Sequence, residues 1–248
     1  MKTAWDKRAP QYDNLQWANH DLYFRILLEE LRLTGEEVVL DLGTGTGKIA
    51  YTVQPYCKKV IGIDASQQML DIANKNLDVL SHANIAFQRA PVDKLPFADG
   101  SFDVVIARMV FHHVLENLDA AVRESFRVLR PGGRIVIAEG VPPNYRLKED
   151  FIEIFKLKEK RHTFFEADLM KLVADAGFQR INVRTFFMDA ISINNWLDHA
   201  DLTRENIEKI KQLHRTASDY FKQAYRLREE NGDIFIDMKH AVVSAEKY

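Results

Sequence analysis

A glycine-rich turn followed by an acidic residue is the segment of this chain best suited to chemistry. The apolar run at 38–42 leads into glycines at positions 43, 45 and 47, and Asp64 ends a second apolar stretch 21 residues after Gly43. A strand, a tight glycine turn, a helix and an acidic residue about 20 residues further on form the adenosine-binding unit of α/β folds. Glycine lets the backbone approach a ligand where a Cβ would collide, and a carboxylate can accept hydrogen bonds from ribose hydroxyls. We therefore expect an adenosine-containing cofactor at this turn.

The spacing of the glycines indicates which cofactor is disfavoured. A dinucleotide fingerprint reads G-x-G-x-x-G, and Lys48 stands at the position of its third glycine. The turn reads G-x-G-x-G instead, with Asp41 two residues ahead of it. A nicotinamide cofactor is therefore disfavoured.

Alternating strands and helices would position this turn. Five apolar, β-branched runs are predicted strands, and they lie at 38–42, 59–63, 84–88, 102–107 and 133–139. Runs that are apolar on both faces are typical of buried parallel strands, and the segments between them have helical periodicity. Ser66 is the predicted N-cap of the helix after the second strand. The pattern predicts an α/β fold with a mostly parallel sheet and helices on both faces.

The second half of the chain is less regular. Thr163 and Glu166 have the spacing of a capping box and predict a helix that ends at Gly177. A sixth strand is predicted at 179–188, a helix at 203–228 and a last strand near the carboxyl terminus.

Four stretches of the chain resemble the class I S-adenosylmethionine-dependent methyltransferases, in particular the small-molecule group that includes the ubiquinone/menaquinone C-methyltransferases. These stretches are VVLDLGTGTG (38–47), VIGIDASQQML (60–70), LPFADGSFDVVIARMVFHHV (95–114) and VLRPGGRIVIAEG (128–140). They occur in the order and at the separations usual for the family. The resemblance implies S-adenosylmethionine as the cofactor. It also implies a Rossmann-like α/β fold whose seven-stranded, mostly parallel sheet has the order 3-2-1-4-5-7-6.

The resemblance also implies how the chain is organised. We expect a single domain with an N-terminal helical lid (1–34), a Rossmann-like core (35–189), a helical cap insert (190–232) and a final strand (233–248). The insert stands where relatives have a short hairpin connection. Its apolar stripe fits a cap over the substrate pocket, and it fits ordinary core or a homodimer contact equally well.

We assign ten residues to the cofactor site by this resemblance: Tyr12, Asp41, Gly43, Gly45, Asp64, Ala65, Met69, Val92, Asp93 and Arg108. Asp41, Gly43 and Gly45 would contact the methionine part, directly or through water, and Asp64 would bind the ribose hydroxyls. Ala65 and Met69 would lie against the adenine, although Met69 fits a core position equally well. Pro91 stands where the family often has an aspartate that binds the adenine amino group. Adenine recognition would then rest on the Val92 amide and on Asp93.

The N-terminal segment AWDKRAPQYDNL resembles the family's W-x-x-x-A-x-x-Y-D element. In the family this element folds over the cofactor as a lid, which would place Tyr12 near the methionine end. Trp5 and Tyr12 could instead only anchor an N-terminal helix.

Residues that follow strands four and five should face the transferred methyl group, because ligands of open α/β sheets bind beyond the carboxyl ends of the strands. Arg108 would orient an anionic acceptor, or His112 would take a proton from it, since the usual pKa of histidine lies near working pH. Relatives often use a histidine at the place of His113 to brace the turn, and we keep it as a third catalytic candidate. Glu139 could bind a polar acceptor group or be structural. Weaker candidates, which no motif orients, are His162, Asp189 and His199.

Composition limits the partners. A net charge of −2 gives no reason to expect nucleic acid, and no run approaches the ~20 apolar residues of a membrane span. The single cysteine, Cys57, and an N-terminus without an apolar signal core predict a soluble, cytoplasmic protein. No His, Asp or Glu cluster has metal-ligand spacing, so we expect no metal.

The predicted function is methyl transfer from S-adenosylmethionine to a small-molecule acceptor through its oxygen, nitrogen, sulfur or carbon atom. One alternative is a quinone-type C-methyltransferase, whose full pattern is not met. Another is a non-catalytic protein that binds S-adenosylmethionine. A nicotinamide-dependent oxidoreductase is disfavoured by Lys48.

Overall fold

Eight strands form one sheet in the part of the chain that the computed structural model describes, residues 4–80, 84–198 and 200–248. The strands are β1 (Val38–Leu42), β2 (Lys59–Asp64), β3 (Ile85–Arg89), β4 (Phe102–Arg108), β5 (Leu129–Gly140), β6 (Gln179–Ser192), β7 (Arg228–Glu230) and β8 (Asp233–Glu246). Their order is β3-β2-β1-β4-β5-β8-β6, and β7 pairs with β8. Strands β1 to β5 are parallel, whereas β8 runs antiparallel between β5 and β6. With β7 set aside, the predicted order 3-2-1-4-5-7-6 is confirmed.

The helices lie between these strands and before the first of them. They are α1 (Ala4–Arg8), α2 (Asp21–Leu31), α3 (Lys48–Val53), α4 (Gln67–Leu80), α5 (Leu118–Val128), α6 (Lys148–Lys158), α7 (Glu166–Asp175), α8 (Ile193–Asp198), α9 (Arg204–Thr216) and α10 (Asp219–Ala224). None of the helices in the described ranges combines the length and the apolar character that a bilayer crossing needs.

The core lies on both faces of the sheet, because successive residues of a strand point to opposite sides. Val39 of β1 and Val104 of β4 pack in one cluster with residues of α2, α3 and α6. Leu40 and Val105, their neighbours in the chain, pack in the other cluster with residues of α5 and α7. The predicted placement of helices on both faces is thereby confirmed.

Side-chain capping was predicted at the start of two helices. The prediction is confirmed for α4 and wrong for α7. The Ser66 hydroxyl accepts a hydrogen bond from the Met69 amide at 3.2 Å and caps α4, as expected. The capping box predicted at Thr163 and Glu166 was wrong. Asp168 instead accepts from the Phe165 amide at 2.8 Å, and Phe165 is the N-cap. Because Phe165 is buried, core packing sets the start of α7 two residues later than the letters suggested.

The single helix predicted at 203–228 was also wrong. Ala217 and Ser218 have extended backbone angles, and the Ser218 hydroxyl caps a new helix by accepting from the Phe221 amide. After α10 the chain forms the hairpin of β7 and β8 through Asn231 and Gly232, both at positive φ. An Asn-Gly pair is a strong hairpin signal because both central residues of that turn need positive φ. The β7 strand was therefore readable from the sequence.

Gly47, the last glycine of the turn, lets α3 begin close against its neighbours. Its φ is +87°, and a Cβ there would lie 2.7 Å from Tyr51 Cε2 and 2.8 Å from Phe87 Cζ. Two aromatic rings would have to move to admit one methyl group.

We expect Gly47→Ala to lower the free energy of unfolding by about 1–3 kcal/mol more than Gly232→Ala, because overpacking adds to the backbone strain. Gly232 is the matched control: its φ is +79°, and nothing lies within 4 Å of the added Cβ. Urea unfolding of both variants measures the difference. Equal losses would show that positive φ alone makes glycine necessary at position 47.

Candidate functional site

The glycine turn after β1 forms one wall of a cavity of about 370 Å³ at the carboxyl edge of the sheet, which we call the larger cavity. Its volume lies in the range of small-molecule sites, roughly 300–1,000 Å³. Nine of the ten residues predicted for the cofactor line it: Tyr12, Gly43, Gly45, Asp64, Ala65, Met69, Val92, Asp93 and Arg108. Pro91 lines it as well. Residues from five separate chain segments therefore meet around one space.

Gly45 and Asp64 form the floor of the larger cavity. The Gly45 amide donates to Asp64 Oδ2 at 2.9 Å, and the Ser66 amide donates to Oδ1 at 2.8 Å. A Cβ on Gly45 would project between Tyr12 and Met69, which are 3.9 and 4.0 Å away, so glycine keeps this floor open. Each carboxylate oxygen holds a second lone pair, so Asp64 can still accept hydrogen bonds from a ligand.

Arg108, at the end of β4, is buried in the wall of the larger cavity without a carboxylate partner among the described residues. Its guanidinium packs over the rings of Trp17 and Tyr23, at 5.3 and 4.5 Å, and Nη2 donates to the Trp17 carbonyl at 3.2 Å. Within the described part of the chain, Nε has no hydrogen-bond partner. A buried cation is costly unless it is paired. Arg108 is therefore suited to receive an anionic group of a ligand.

Asp41 does not line the larger cavity, unlike the other predicted cofactor residues. It is 1% exposed, and its Oδ2 accepts from the Thr44 hydroxyl at 2.6 Å beneath the glycine turn. Burial raises the pKa of the Asp41 carboxyl to about 7, and the hydrogen bond from Thr44 only partly offsets this rise. Asp41 thus holds the turn in place from the side away from the larger cavity. It could reach the methionine part of a cofactor only through an intervening group.

The raised pKa of Asp41 predicts how stability depends on pH. Between about pH 4 and 7 the folded protein binds a proton at Asp41 that the unfolded chain has released, so stability falls as pH rises. We expect the unfolding free energy of the wild type, relative to Asp41→Asn, to fall through this window by up to ~1.4 kcal/mol per pH unit. Urea unfolding of both proteins from pH 4.5 to 7.5 measures it. A difference that does not change with pH would contradict an ordinary buried carboxyl at this place.

A second cavity, of about 40 Å³, adjoins the first, and we call it the smaller cavity. Four residues line both cavities: Trp5, Tyr12, Met109 and His113. Nine further residues line the smaller cavity alone: Trp17, His112, Phe155, Lys158, Glu159, Arg161, Trp196, Met238 and His240. A single water needs roughly 10–15 Å³, so the smaller cavity admits a larger molecule only if its walls move.

His112 and Glu139 form a buried pair behind the smaller cavity. His112 Nδ1 lies 2.5 Å from Glu139 Oε2, and Glu139 Oε1 accepts from the Phe111 amide at 2.8 Å. Burial keeps the pKa of His112 well below its usual value and raises that of Glu139 to about 6. At neutral pH the imidazole is therefore neutral, donates its Nδ1 hydrogen to the carboxylate and carries its lone pair on Nε2. Such a histidine can accept a proton.

His113 occupies the boundary between the two cavities. Its ring lies edge-on to Trp5 at 4.6 Å and against His112 at 3.8 Å. Burial holds the pKa of His113 well below its usual value, so its imidazole is neutral at neutral pH. Of the two histidines, His113 is the one that reaches the larger cavity.

Charged residues at and after the end of α6 line the smaller cavity, and sequence reasoning did not select them. Glu159 lies 2.6 Å from Arg8 Nη1 and 3.1 Å from Lys158 Nζ. Arg161 Nε donates to the His162 carbonyl at 3.2 Å, and its guanidinium packs 4.3 Å from the Phe155 ring centroid. In the sequence, KLKEKRH resembles a solvated helix end, where basic residues are common. The only available signal was the mixing of these charges with aromatic residues at 151–165.

His112, His113 and Glu159 also form a cluster that the sequence spacing did not reveal. Their potential ligand atoms lie within 4.8 Å of one another. Both Glu159 oxygens already face cations, those of Arg8 and Lys158. Like charges this close oppose a bound metal cation, and metal independence stays a prediction.

The N-terminal segment 4–19 lies over both cavities and is tied to four parts of the fold. Its bonds join Asp6 to Ser66 at 2.6 Å, Arg8 to Glu159 at 2.6 Å, Asp13 to Thr46 at 2.7 Å, and the Gln16 amide to Asn195 at 2.7 Å. These bonds span the glycine turn, α4, the end of α6 and α8. Trp5 and Tyr12 of this segment line both cavities, so the segment forms part of their wall.

The weaker candidates lie away from the two cavities or outside the described residues. His162 Nε2 binds the Val114 carbonyl at 3.0 Å, which braces the segment after β4. Asp189 is exposed and lies 3.3 Å from His20. His199, and residues 1–3 of the predicted lid, lie outside the described residues.

The comparisons with known proteins agree with this geometry. Residues 40–137 match the family described as "Methyltransferase domain". The ubiquinone/menaquinone biosynthesis C-methyltransferase UbiE of Geotalea daltonii is 32% identical over 64% of this chain and 70% of its own length. The uncharacterized methyltransferase YcgJ of Bacillus subtilis is 32% identical over 65% of this chain, but the match spans only 64% of that protein's length.

Solved structures extend the likeness of the fold over nearly the whole chain. The crystal structure of YcgJ from Bacillus subtilis has a TM-score of 0.82 at 22% identity and covers 92% of this chain and 100% of that one. Phosphoethanolamine N-methyltransferase 2 of Haemonchus contortus, solved in complex with S-adenosylmethionine, has a TM-score of 0.63 at 16% identity, covering 94% of this chain and 56% of that one. The chain belongs to the S-adenosylmethionine-dependent methyltransferases, whose cofactor is S-adenosylmethionine.

Proposed function

We propose that this protein transfers the methyl group of S-adenosylmethionine to a small-molecule acceptor that binds in the smaller cavity. The observation that carries the proposal is the shared wall of the two cavities at Trp5, Tyr12, Met109 and His113. A donor in the larger cavity and an acceptor in the smaller one would meet at this wall. Both cavities lie beyond the carboxyl ends of the strands, where open α/β sheets bind their ligands.

The residues of the larger cavity fit the parts of the cofactor. Asp64 has free lone pairs for the ribose hydroxyls, and Gly45 leaves room for close approach. Val92 and Asp93 line the end where the adenine would lie. Arg108, buried and lacking a carboxylate partner among the described residues, would pair with the carboxylate of the methionine part. Arg108 was predicted for both the cofactor and the acceptor, and this proposal keeps only its role at the cofactor.

S-adenosylmethionine supplies an electrophilic methyl group, which the acceptor's lone pair takes in line while the electrons of the broken bond stay on sulfur. The protein's main contribution is orientation, which can supply roughly 7–11 kcal/mol of the barrier. Segment 4–19 would act as a lid that holds the acceptor and excludes water. Where the acceptor atom carries a proton, His113 is better placed to take it than His112, because it lines both cavities. The His112–Glu139 pair would brace it.

The acceptor side supports a substrate other than a quinone. The family match ends at residue 137, whereas Phe155, Lys158, Arg161 and Trp196 come from later in the chain. We therefore infer that α6 and α8 act as an acceptor-binding cap on a shared methyltransferase core. The quinone C-methyltransferase reading rests on relatives such as UbiE and stays the alternative.

We expect S-adenosylhomocysteine to raise the melting temperature of the wild type and NAD to leave it unchanged. Asp64→Asn should weaken binding of S-adenosylhomocysteine about 10- to 150-fold, because hydrogen bonds to charged groups contribute roughly 1.5–3 kcal/mol. Calorimetry measures the affinity. Asp119→Asn, an exposed change on α5, is the control and should bind as the wild type does.

Equal binding by Asp64→Asn and the wild type, or binding of NAD, would contradict the proposed cofactor site. Catalysis itself is tested with S-adenosylmethionine that carries a labelled methyl group and a panel of small hydroxy, amino, thiol and activated-carbon acceptors. Label in a small-molecule product supports the proposal. Binding of S-adenosylhomocysteine with no turnover on any acceptor would favour a non-catalytic binding protein.

A further inference from the structure

Two cationic side chains line the smaller cavity, and methyl transfer by itself does not require them. Lys158 ends α6, and Arg161 follows three residues later; both line the smaller cavity and neither lines the larger one. Lys158 packs 5.2 Å from the Trp196 ring centroid, with Glu159 as its ion-pair partner. Arg161 has no carboxylate within ion-pair distance among the described residues. Its nearest groups are two carbonyls and two phenyl rings.

The charges around the smaller cavity do not balance. Two cations, Lys158 and Arg161, line it beside one carboxylate, Glu159, while Arg8 and Glu139 lie outside its lining and are paired with Glu159 and His112. Glu159 is already shared by Arg8 and Lys158, and Glu139 is bonded to His112. Arg161 Nη1 makes no hydrogen bond with any described residue, although a guanidinium has five donors. Arg161, which is half-buried, is the charge without a counter-ion here, and a charge withdrawn from water is costly unless it is paired.

Aromatic rings form much of the remaining wall. Trp5, Trp17, Phe155 and Trp196 all line the smaller cavity. Flat rings bury a flat apolar molecule well and add stacking or edge-to-face contacts. The wall therefore suits a planar molecule with one charged end.

The residues that line each cavity determine how such a molecule would be oriented. His113 and Trp5 line both the larger and the smaller cavity, whereas Lys158 and Arg161 line the smaller cavity and not the larger one. A negative group bound to Lys158 and Arg161 would lie away from the cofactor. Its other end would then face His113, where the donor and acceptor sites meet.

We propose that the acceptor is a small planar organic acid whose carboxylate binds Lys158 and Arg161 while its methyl-accepting atom faces His113. The inference rests on the proposed function and names the class of its acceptor. The carboxylate is a handle and not the nucleophile. Entry requires the lid segment 4–19 to open, because the cavity of about 40 Å³ is smaller than a ring.

The test compares acids with their neutral isosteres on the protein loaded with S-adenosylhomocysteine. Benzoate and the three hydroxybenzoates are titrated by calorimetry beside the matching benzamides, with cyclohexanecarboxylate as the non-planar acid. We expect at least one aromatic acid to bind tenfold or more tightly than its amide, and more tightly than the non-planar acid. Arg161→Gln and Lys158→Met should bring the acid-to-amide ratio towards one while the amide affinity stays unchanged.

Lys156→Met is the matched control, because Lys156 is an exposed lysine on the same helix and should leave the ratio unchanged. Equal binding of acids and amides by the wild type would overturn the inference, as would no binding of any acid or a ratio that both variants retain. The wild-type comparison stands even if a variant fails to fold. Failure to bind S-adenosylhomocysteine sinks the proposed function itself, whereas binding it without preferring acids sinks only the acceptor class.

Discussion

The site depends on the opposite directions in which the chain leaves the neighbouring strands β1 and β4. These strands are hydrogen-bonded neighbours, with Asp41 opposite Ile106 and Leu42 opposite Ala107. The connection after β1 leads to β2 on one side, and the connection after β4 leads to β5 on the other. A crevice must open where neighbouring strands send their loops apart. The glycine turn and Arg108 lie on its opposite sides, so the fold itself creates the larger cavity.

Burial of charge is the second constraint, and the structure meets it differently on each side of the crevice. The Thr44 hydroxyl donates a hydrogen bond to Asp41, and burial raises the pKa of the Asp41 carboxyl, which favours its neutral form. Glu139 is stabilised by two amides and by His112. Arg108 and Arg161 stay charged, because arginine does not lose its proton in proteins. Their compensation must come from rings, carbonyls or bound ligands.

The two cavities also differ in where their residues come from. Most of the larger cavity comes from the part of the chain that matches the methyltransferase family, residues 40–137. The smaller cavity takes its charged and aromatic wall from the N-terminal segment, the end of α6 and α8. The relatives with quinone-directed names match 63–64% of this chain, so part of it lies outside those matches.

Local sequence patterns determined the fold class and the glycine turn, and the family resemblance gave the strand order. Buried parallel strands are visible as apolar runs, and a glycine turn acts through its own backbone, so both signals are local. The shift of the α7 cap to Phe165 and the break at Ala217 were not predicted, because burial and backbone angle overrode local preference.

Only the tertiary structure decided which residues form the smaller cavity. Trp5, Trp196 and the neighbours Lys158 and Arg161 meet in one cavity although they come from three distant parts of the chain. In the sequence, the lysine and arginine have the pattern of a solvated helix end, and nothing local shows that Trp196 packs against the lysine and two phenyl rings pack against the arginine. The letters likewise could not show that Asp41 lies under the turn. Which side of a strand a residue faces depends on what packs against it, and that is a property of the folded chain.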